Sequence, residues 1–270
     1  MRRRPKKPFN FFGVILIFIG FVYMYNLCSS GNSHKKRFVV NKANNKMQES
    51  EWRNLQLKKI KIIANEDSVP DTTRNFYFII DGSGSMAEDT DKKCGNNENF
   101  RNRLEGAKWA VKEFLKNIPD NINIGLYVFD NRGQREVVPL SKNNRDKFLN
   151  GISSIIAGGG TPLKKAIKYG TDKLVEQYKT QLGYGEYRLV VVTDGIARHI
   201  FDAAKYAASY GVSLYSIGLC VDKNHPLRKY SVLYKAADSF EDLSESLSET
   251  LAELHDFDVS DFNEEQEDGK

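Results

Sequence analysis

Residues 76–86 read Phe-Tyr-Phe-Ile-Ile-Asp-Gly-Ser-Gly-Ser-Met, an apolar run followed directly by a polar turn that contains two glycines. Five consecutive apolar residues are typical of a strand that is buried on both faces, as the strands of parallel sheets are. The small polar residues that follow indicate a loop at the carboxyl end of that strand. The stretch therefore predicts a buried parallel strand with Asp81, Ser83 and Ser85 directly after it.

The chain beyond this strand alternates between strand patterns and helix patterns. Apolar runs predict strands, and apolar residues at three- to four-residue spacing predict helices. The predicted strands cover residues 123–130, 136–140, 188–193, 212–217 and 230–234, and the predicted helices cover residues 104–118, 145–156, 163–178, 201–210 and 243–254. Pro139 and the short run at 230–234 indicate edge strands. The alternation predicts an α/β fold with a doubly wound, mainly parallel sheet that is covered by helices on both faces.

Side chains with oxygen atoms stand in three loops of this predicted sheet. They are Asp81, Ser83 and Ser85 after the first strand, Thr161 before a helix, and Asp194 after the strand at 188–193. Taken singly these loops are ordinary, because Asp-Gly forms turns and Thr161 followed by Pro162 is a typical helix N-cap. Ligands bind doubly wound sheets outside the carboxyl ends of the strands, so together the loops predict one site. Two carboxylates and three hydroxyls are hard oxygen ligands that suit Mg²⁺.

At these residues the chain resembles the von Willebrand factor A domain family. The motif Asp81-x-Ser83-x-Ser85, then Thr161, then Asp194 occurs in the family's order, and the resemblance covers residues 75–255. It implies a metal-ion-dependent adhesion site in which Ser83 and Ser85 bind the ion directly, while Asp81, Thr161 and Asp194 bind it directly or through water. It also implies Mg²⁺, with Mn²⁺ or Ca²⁺ as substitutes, and a protein partner whose Asp or Glu carboxylate completes the coordination.

The chain is most similar to bacterial membrane-attached members of that family. The residues that carry this closer resemblance are Gly159-Gly-Thr-Pro-Leu163, Gly183-Tyr-Gly-Glu-Tyr187 and Tyr234-Lys-Ala-Ala-Asp238.

The amino-terminal residues predict a membrane anchor. Residues 1–8 contain five cations and residues 9–28 contain no charged residue, whereas roughly 20 apolar residues suffice for a transmembrane helix. The preceding cations predict a cytoplasmic amino terminus, so the domain is expected outside the cytoplasm, in the bacterial periplasm or at the cell surface. The alternatives are a cleaved signal peptide and a buried core helix, and the all-round apolar character disfavours the second.

Residues 29–74 are polar and predict a stalk between the anchor and the domain. Within it, residues 55–62 alternate in part, which fits either an added strand or a helical turn.

The formal net charge of +5 is unevenly distributed along the 270 residues. Residues 1–75 carry 15 Lys and Arg against 5 Asp and Glu, whereas residues 240–270 carry 12 acidic residues and one lysine. Because most of the basic excess lies in the anchor flanks and the stalk, we expect no nucleic-acid partner. Residues 256–270 predict a disordered acidic tail; the alternative is that this tail offers a carboxylate to a neighbouring metal site.

No catalytic signature is present, so we predict that the protein is not an enzyme. The Gly158–Gly160 run lacks the G-x-x-x-x-G-K-[ST] pattern of nucleotide-binding loops, and no G-x-S-x-G elbow surrounds Ser83 or Ser85. The four histidines are scattered without metal-ligand spacing. Cys94 and Cys220 fall in loops at the site-bearing edge, and an oxidising compartment allows them to form a disulfide; two unpaired thiols are the alternative.

These patterns predict a membrane-tethered, extracytoplasmic protein-binding module with a metal-ion-dependent adhesion site. Two alternatives stay open at this point. One is a substrate-recruiting subunit of an AAA+ or chelatase-type complex, which needs contact with a cytoplasmic ATPase. The other is a structural envelope protein whose metal site merely stabilises the fold.

Overall fold

Six strands form one sheet in the order β3-β2-β1-β4-β5-β6. The computed structural model describes residues 55–64, 70–90, 99–195, 200–221 and 225–251. The strands are β1 Asn75–Asp81, β2 Asn123–Asp130, β3 Gly133–Ser141, β4 Tyr187–Thr193, β5 Ser213–Leu219 and β6 Leu233–Ala237. All neighbouring strands are parallel except β2 and β3, which form an antiparallel pair. The prediction of a mainly parallel sheet is therefore confirmed.

Helices cover both faces of the sheet because its strands carry apolar side chains on both faces. The helices are α1 Arg103–Lys116, α2 Arg145–Ser153, α3 Leu163–Thr180, α4 Ile200–Ser209 and α5 Phe240–Leu251. Phe76, Phe78 and Ile80 of β1 join one core cluster, which also contains residues of α1, α2 and α5. Tyr77 and Ile79 point the other way, into a cluster with α3 and α4. This alternation is the period of two that a strand imposes on its side chains.

The last strand differs from the prediction of residues 230–234. Residues Pro226–Lys229 form a single 3-10 turn, which Tyr230 closes by donating its N–H to the carbonyl of Leu227 at 3.0 Å. Pairing with β5 begins at Leu233, opposite Tyr215, so the strand starts three residues later than predicted. Its position at the edge of the sheet is as predicted.

Residues 55–64 form neither the strand nor the helical turn considered for them. They lie against the domain: the N–H of Lys58 donates to the carbonyl of Ser209 at 2.7 Å. The Lys58 ammonium lies 4.7 Å from the ring centre of Tyr206 and 4.4 Å from that of Tyr210. Ile60 packs against the core cluster of α3 and α4. Part of the segment assigned to the stalk therefore contacts the domain.

Within the described ranges, no helix combines the length and the apolar character that a membrane crossing requires. The predicted anchor at residues 9–28, most of the predicted stalk and the acidic tail at 256–270 lie outside those ranges.

Candidate metal centre

The candidate site lies where the direction of chain winding in the sheet reverses. From β1 the chain continues to β2 on one side, whereas β4, on the other side of β1, continues outward to β5. The loops that follow β1 and β4 therefore diverge and leave a crevice at the carboxyl ends of the two strands, which is the usual ligand position in such sheets. Asp81 is the last residue of β1 and Asp194 directly follows β4.

Hydrogen bonds join four of the five candidate ligands. The N–H of Ser83 donates to Asp81 Oδ1 at 2.8 Å, which bends the loop back over the end of β1. The hydroxyl oxygens of Ser83 and Ser85 lie 3.2 Å apart, and the Ser85 hydroxyl donates to Asp194 Oδ1 at 2.7 Å. Asp81, Ser83 and Asp194 are buried. The side chains predicted from two distant sequence stretches therefore lie together.

Thr161 follows a glycine loop, Gly158–Gly160, that is hydrogen-bonded to the loop after β1. The N–H of Gly158 donates to the carbonyl of Gly82 at 2.9 Å, and the N–H of Gly84 donates to the carbonyl of Gly159 at 3.0 Å. Both Gly158 and Gly159 have positive φ angles, at which glycine is favoured.

Gly195 lies between Thr161 and Asp81. A Cβ on Gly195 would stand 3.0 Å from Thr161 Oγ1 and 3.5 Å from Asp81 Oδ2, so both oxygen atoms lie close to this residue. The predicted cap role of Thr161 is wrong. The N-cap of α3 is Pro162, and no side chain bonds to the first N–H groups of the helix.

Two residues that the sequence analysis did not single out contact the carboxylates. The Thr193 hydroxyl donates to Asp81 Oδ2 at 2.5 Å. Arg103 Nη1 donates to Asp194 Oδ2 at 3.2 Å, and Arg103 Nη2 lies 2.9 Å from Glu88 Oε2. Arg103 is the first residue of α1, so the helix start brings this guanidinium to the site.

His225 forms a hydrogen bond with the loop after β4. Its Nδ1 accepts the N–H of Leu227 at 3.2 Å, so the neutral ring carries its proton on Nε2 and donates it to the carbonyl of Gly195 at 2.8 Å. The ring stacks on Tyr234 with an interplanar angle of 5°. Burial lowers the pKa of His225, which favours this neutral form.

Burial also raises the pKa of both carboxyl groups. It raises the pKa of Asp81 to about 6, against opposing hydrogen bonds from Ser83 and Thr193, and the charge of Asp194 adds to the rise. Burial likewise raises the pKa of Asp194, although hydrogen bonds from Ser85 and Arg103 oppose it. Two buried carboxylates with one adjacent arginine leave a local excess of negative charge that a cation would neutralise.

The donor set fits a small divalent cation. Carboxylate and hydroxyl oxygens are the ligands of Mg²⁺, which commonly takes only one or two protein carboxylates. In the part of the chain that the structure describes, no group of three or more His, Cys, Asp or Glu residues could hold a metal ion. A site with two carboxylates and three hydroxyls does not depend on such a group.

The predicted partner of Cys220 lies outside the described residues. Cys220 is buried directly after β5, at the same edge of the sheet as the candidate site. Cys94 falls in the range 91–98, of which the structure describes nothing. The disulfide between the two cysteines therefore stays a prediction.

Comparisons with known proteins agree with this architecture. The model of the von Willebrand factor type A domain matches residues 75–268. Inter alpha-trypsin inhibitor heavy chain 4 of Mus musculus is 23% identical in an alignment of length 172 that covers 59% of this chain and only 17% of that protein.

Among solved structures, the chain is similar to the von Willebrand factor type A protein of Catenulispora acidiphila, with 17% identity and a TM-score of 0.50 over 66% of this chain and 42% of that one. The SpRpn10 VWA domain matches with 14% identity and a TM-score of 0.51 over 65% and 94%. An aerotolerance-related membrane protein from Bacteroides fragilis matches with 18% identity and a TM-score of 0.49 over 64% and 96%. At these identities the likeness concerns the fold alone.

Proposed function

Because the chain belongs to the von Willebrand factor type A domain family, we propose that it binds a partner protein through a divalent cation. The residues that would hold the cation are Asp81, Ser83, Ser85, Thr161 and Asp194. Domains of this family are generally non-catalytic protein-interaction modules. The proposal assigns to this chain a particular way of binding: the metal ion joins the domain to its partner.

The observation that carries the proposal is that oxygen-bearing side chains from three loops lie near one another at the carboxyl edge of the sheet, with Asp81, Ser83 and Asp194 buried. The bond from the Ser85 hydroxyl to Asp194 joins the first of these loops to the third, and the bond from Ser83 N–H to Asp81 holds the first loop at the end of β1. Three hydroxyls and two carboxylates with little positive charge beside them match the ligand set of a hard cation. They match less well a purely hydrogen-bonded role in the protein core.

Each residue has a distinct part in such a site. The hydroxyls of Ser83 and Ser85 are neutral ligands, so the negative charge that the site offers to a cation comes from the two carboxylates. Thr193 and Arg103 hold one oxygen of Asp81 and one of Asp194 respectively, which orients these carboxylates. When bound, Mg²⁺ supplies an electrophilic position that accepts a carboxylate oxygen of the partner, and Mn²⁺ or Ca²⁺ can take its place. We expect this partner group to be an Asp or Glu side chain.

A crosslinking pull-down from membranes tests this function. Wild-type protein should capture its partner in Mg²⁺ and release it in EDTA, and Asp81→Ala should capture none in either condition. Asp120→Ala is the matched control, because the Asp120 side chain is 88% exposed and lies outside the site. Equal capture by wild type and Asp81→Ala, unaffected by EDTA, would contradict the proposal.

We also propose that residues 9–28 tether the domain to a membrane and that the domain lies outside the cytoplasm. The chain enters β1 at Asn75 and reaches the site at Asp81, so the site lies about 20 Å along the strand from that entry point.

Reporter fusions test this topology. Alkaline phosphatase, which is active only outside the cytoplasm, should be active when fused to the carboxyl terminus. A reporter active only in the cytoplasm should be silent at the same position. The opposite pattern would overturn the proposed location and would favour a subunit that works with a cytoplasmic ATPase.

A further inference from the structure

The segment at residues 55–64 lies across the carboxyl-terminal ends of α3 and α4. The N–H of Lys58 donates to the carbonyl of Ser209, the last residue of α4, at 2.7 Å. Farther along the segment, a Cβ on Gly183, in the loop after α3, would stand 3.0 Å from Ile62 Cδ1. Both helices end shortly before β4 and β5 begin, so the segment lies at the amino end of these strands, away from the candidate metal centre at their carboxyl ends.

Several apolar side chains at this end of the sheet are exposed. We call the exposed surface the amino-edge patch and define it by Leu57, Lys59, Lys61, Ile63 and Tyr184. Leu57, Ile63 and Tyr184 are 70%, 72% and 52% exposed, and they are three of the five exposed large apolar side chains among the described residues. Scattered exposed apolar residues are ordinary, but their concentration beside one segment indicates a surface that is covered when the protein is at work.

One set of side chains holds the segment to the domain and leaves another set exposed. The Lys58 ammonium donates to the Tyr210 hydroxyl at 3.4 Å, and Ile60 packs against the core cluster of α3 and α4. Lys59 and Lys61 alternate with these residues and are exposed. The contacts of the first set therefore determine which cations the segment presents outward.

We propose that the amino-edge patch lies on the surface of an anionic phospholipid bilayer, the one that holds residues 9–28. This inference rests on the tether proposed above and adds a second contact between the chain and the membrane. The apolar side chains enter the interfacial region, while the two ammonium groups of the patch face lipid phosphates. Tyrosine is enriched at this interface because its ring is apolar and its hydroxyl is polar.

The charges at this end of the sheet complement an anionic surface. Within the described ranges, neither lysine of the patch forms an ion pair. Two acidic side chains at the same end are neutralised inside the protein: Asp71 Oδ2 lies 3.3 Å from Lys142 Nζ, and the Glu186 carboxylate pairs with Arg74 at 3.0 Å and with Arg188. The patch therefore offers positive charge that no side chain of the described protein neutralises.

The length of the connection to the predicted anchor favours the bilayer as the occupant. Residues 29–54 are 26 residues with six Lys and Arg against two Glu. A flexible chain of this length has a root-mean-square end-to-end distance of about 28 Å. The tether thus keeps the patch near the bilayer at an effective concentration on the order of millimolar, so that a weak affinity for lipid suffices. A soluble partner would need a higher affinity to compete.

Hydrogen exchange of the full chain in lipid nanodiscs tests the proposal. In discs that contain phosphatidylglycerol, the amides of residues 55–64 should exchange at least about threefold more slowly than in discs of phosphatidylcholine alone. Lys59→Glu/Lys61→Glu should abolish this difference, and Leu57→Ser/Ile63→Ser should reduce it. Lys112→Glu/Lys147→Glu is the matched control, because it makes the same change of charge at exposed positions of α1 and α2, and it should behave as wild type does.

Co-elution of the chain with the discs reports on the tether alone and is measured on the same samples. Co-elution together with equal exchange in the two lipids would overturn the amino-edge patch and leave the tether standing. Failure to co-elute would overturn the tether and this inference with it. Slower exchange of residues 55–64 at raised protein concentration in lipid-free detergent would show that a second copy covers the patch, and would overturn the proposal as well.

Discussion

Arg103 places a guanidinium against the carboxylate of Asp194 where water can compensate little of the charge. The Arg103 side chain is 11% exposed and that of Asp194 is fully buried. Removing one member of a buried ion pair leaves the other without compensation, and such losses are large. At the scale of single residues, this pair is therefore the contact whose removal should be easiest to measure.

We expect Arg103→Met to lower the free energy of unfolding by about 3 kcal/mol in EDTA, because Asp194 would remain buried without its cation. Urea denaturation measures this change. Arg101→Met is the matched control, since the Arg101 side chain is 88% exposed and pairs with Glu105 at the surface. Equal losses of stability in the two variants would show that the buried pair of Arg103 with Asp194 contributes no more to stability than a surface ion pair.

His225 should make stability depend on pH. Burial lowers its pKa in the folded protein below the ordinary value of 6.5, so the unfolded chain binds a proton more readily than the folded one. His225 should therefore lower the free energy of unfolding as the pH drops from about 7 through about 6, whereas the raised pKa of Asp81, about 6, acts in the opposite direction. Urea denaturation at a series of pH values isolates the His225 contribution as the difference between wild type and His225→Gln, which cannot titrate: wild type should lose stability relative to the variant as the pH falls. Identical pH profiles would contradict the assignment of a buried neutral His225.

The position of a single site residue could be predicted from the sequence where its residue type and its place next to a strand both indicate a site. Asp81, Ser83 and Ser85 follow an apolar strand directly, so their position at the sheet edge could be predicted. Thr193 and His225 could not, because each acts through a contact that is made only on folding. His225, for example, is 30 residues from the carbonyl that it bonds. Spacing along the chain, by which the histidines were judged, carries no information about such a contact.

Helices α1 and α5 pack closely because Gly106 has no side chain. A Cβ at this position would overlap three atoms of the Phe240 ring. Alanine favours a helix over glycine by about 1 kcal/mol, but overpacking a filled core costs about 1–3 kcal/mol. At the scale of elements, the cost of overpacking should exceed the gain in helix propensity.

We expect Gly106→Ala to be less stable than wild type, by about 1 kcal/mol or more after the gain in helix propensity is included. Thermal and urea denaturation measure the difference. Lys112→Ala, at an exposed position of the same helix, should be neutral or slightly stabilising. A stabilised Gly106→Ala would mean that α1 and α5 are farther apart than described.

Most elements could be predicted from apolar periodicity alone, and the exceptions have local causes. The strand β6 begins at Leu233 because Pro226–Lys229 form a turn that removes Tyr230 from the sheet. Residues 55–64 have partial alternation but no neighbouring strand pairs with them regularly. The bond from Lys58 to Ser209 and the contacts of Lys58 with two tyrosine rings hold this segment instead. Such contacts with distant residues leave no periodic pattern.

At the scale of the whole molecule, the two ends of the sheet differ in the residues that they carry. The edge at Asn75 receives the chain from the amino-terminal residues, and the edge at Asp81 and Asp194 carries the buried carboxylates. The net negative cluster at the second edge lowers the free energy of unfolding, and a bound divalent ion would raise it again. We propose above that this cluster binds the ion.

Calorimetric titration of Mg²⁺ into the EDTA-stripped full chain measures this binding. We expect wild type and Asp120→Ala to bind one equivalent of Mg²⁺ saturably, and Asp81→Ala and Asp194→Ala to bind none while keeping the circular dichroism of a folded α/β protein. The account would be contradicted if Asp81→Ala bound Mg²⁺ as wild type does, or if the wild-type chain bound none of Mg²⁺, Mn²⁺ and Ca²⁺.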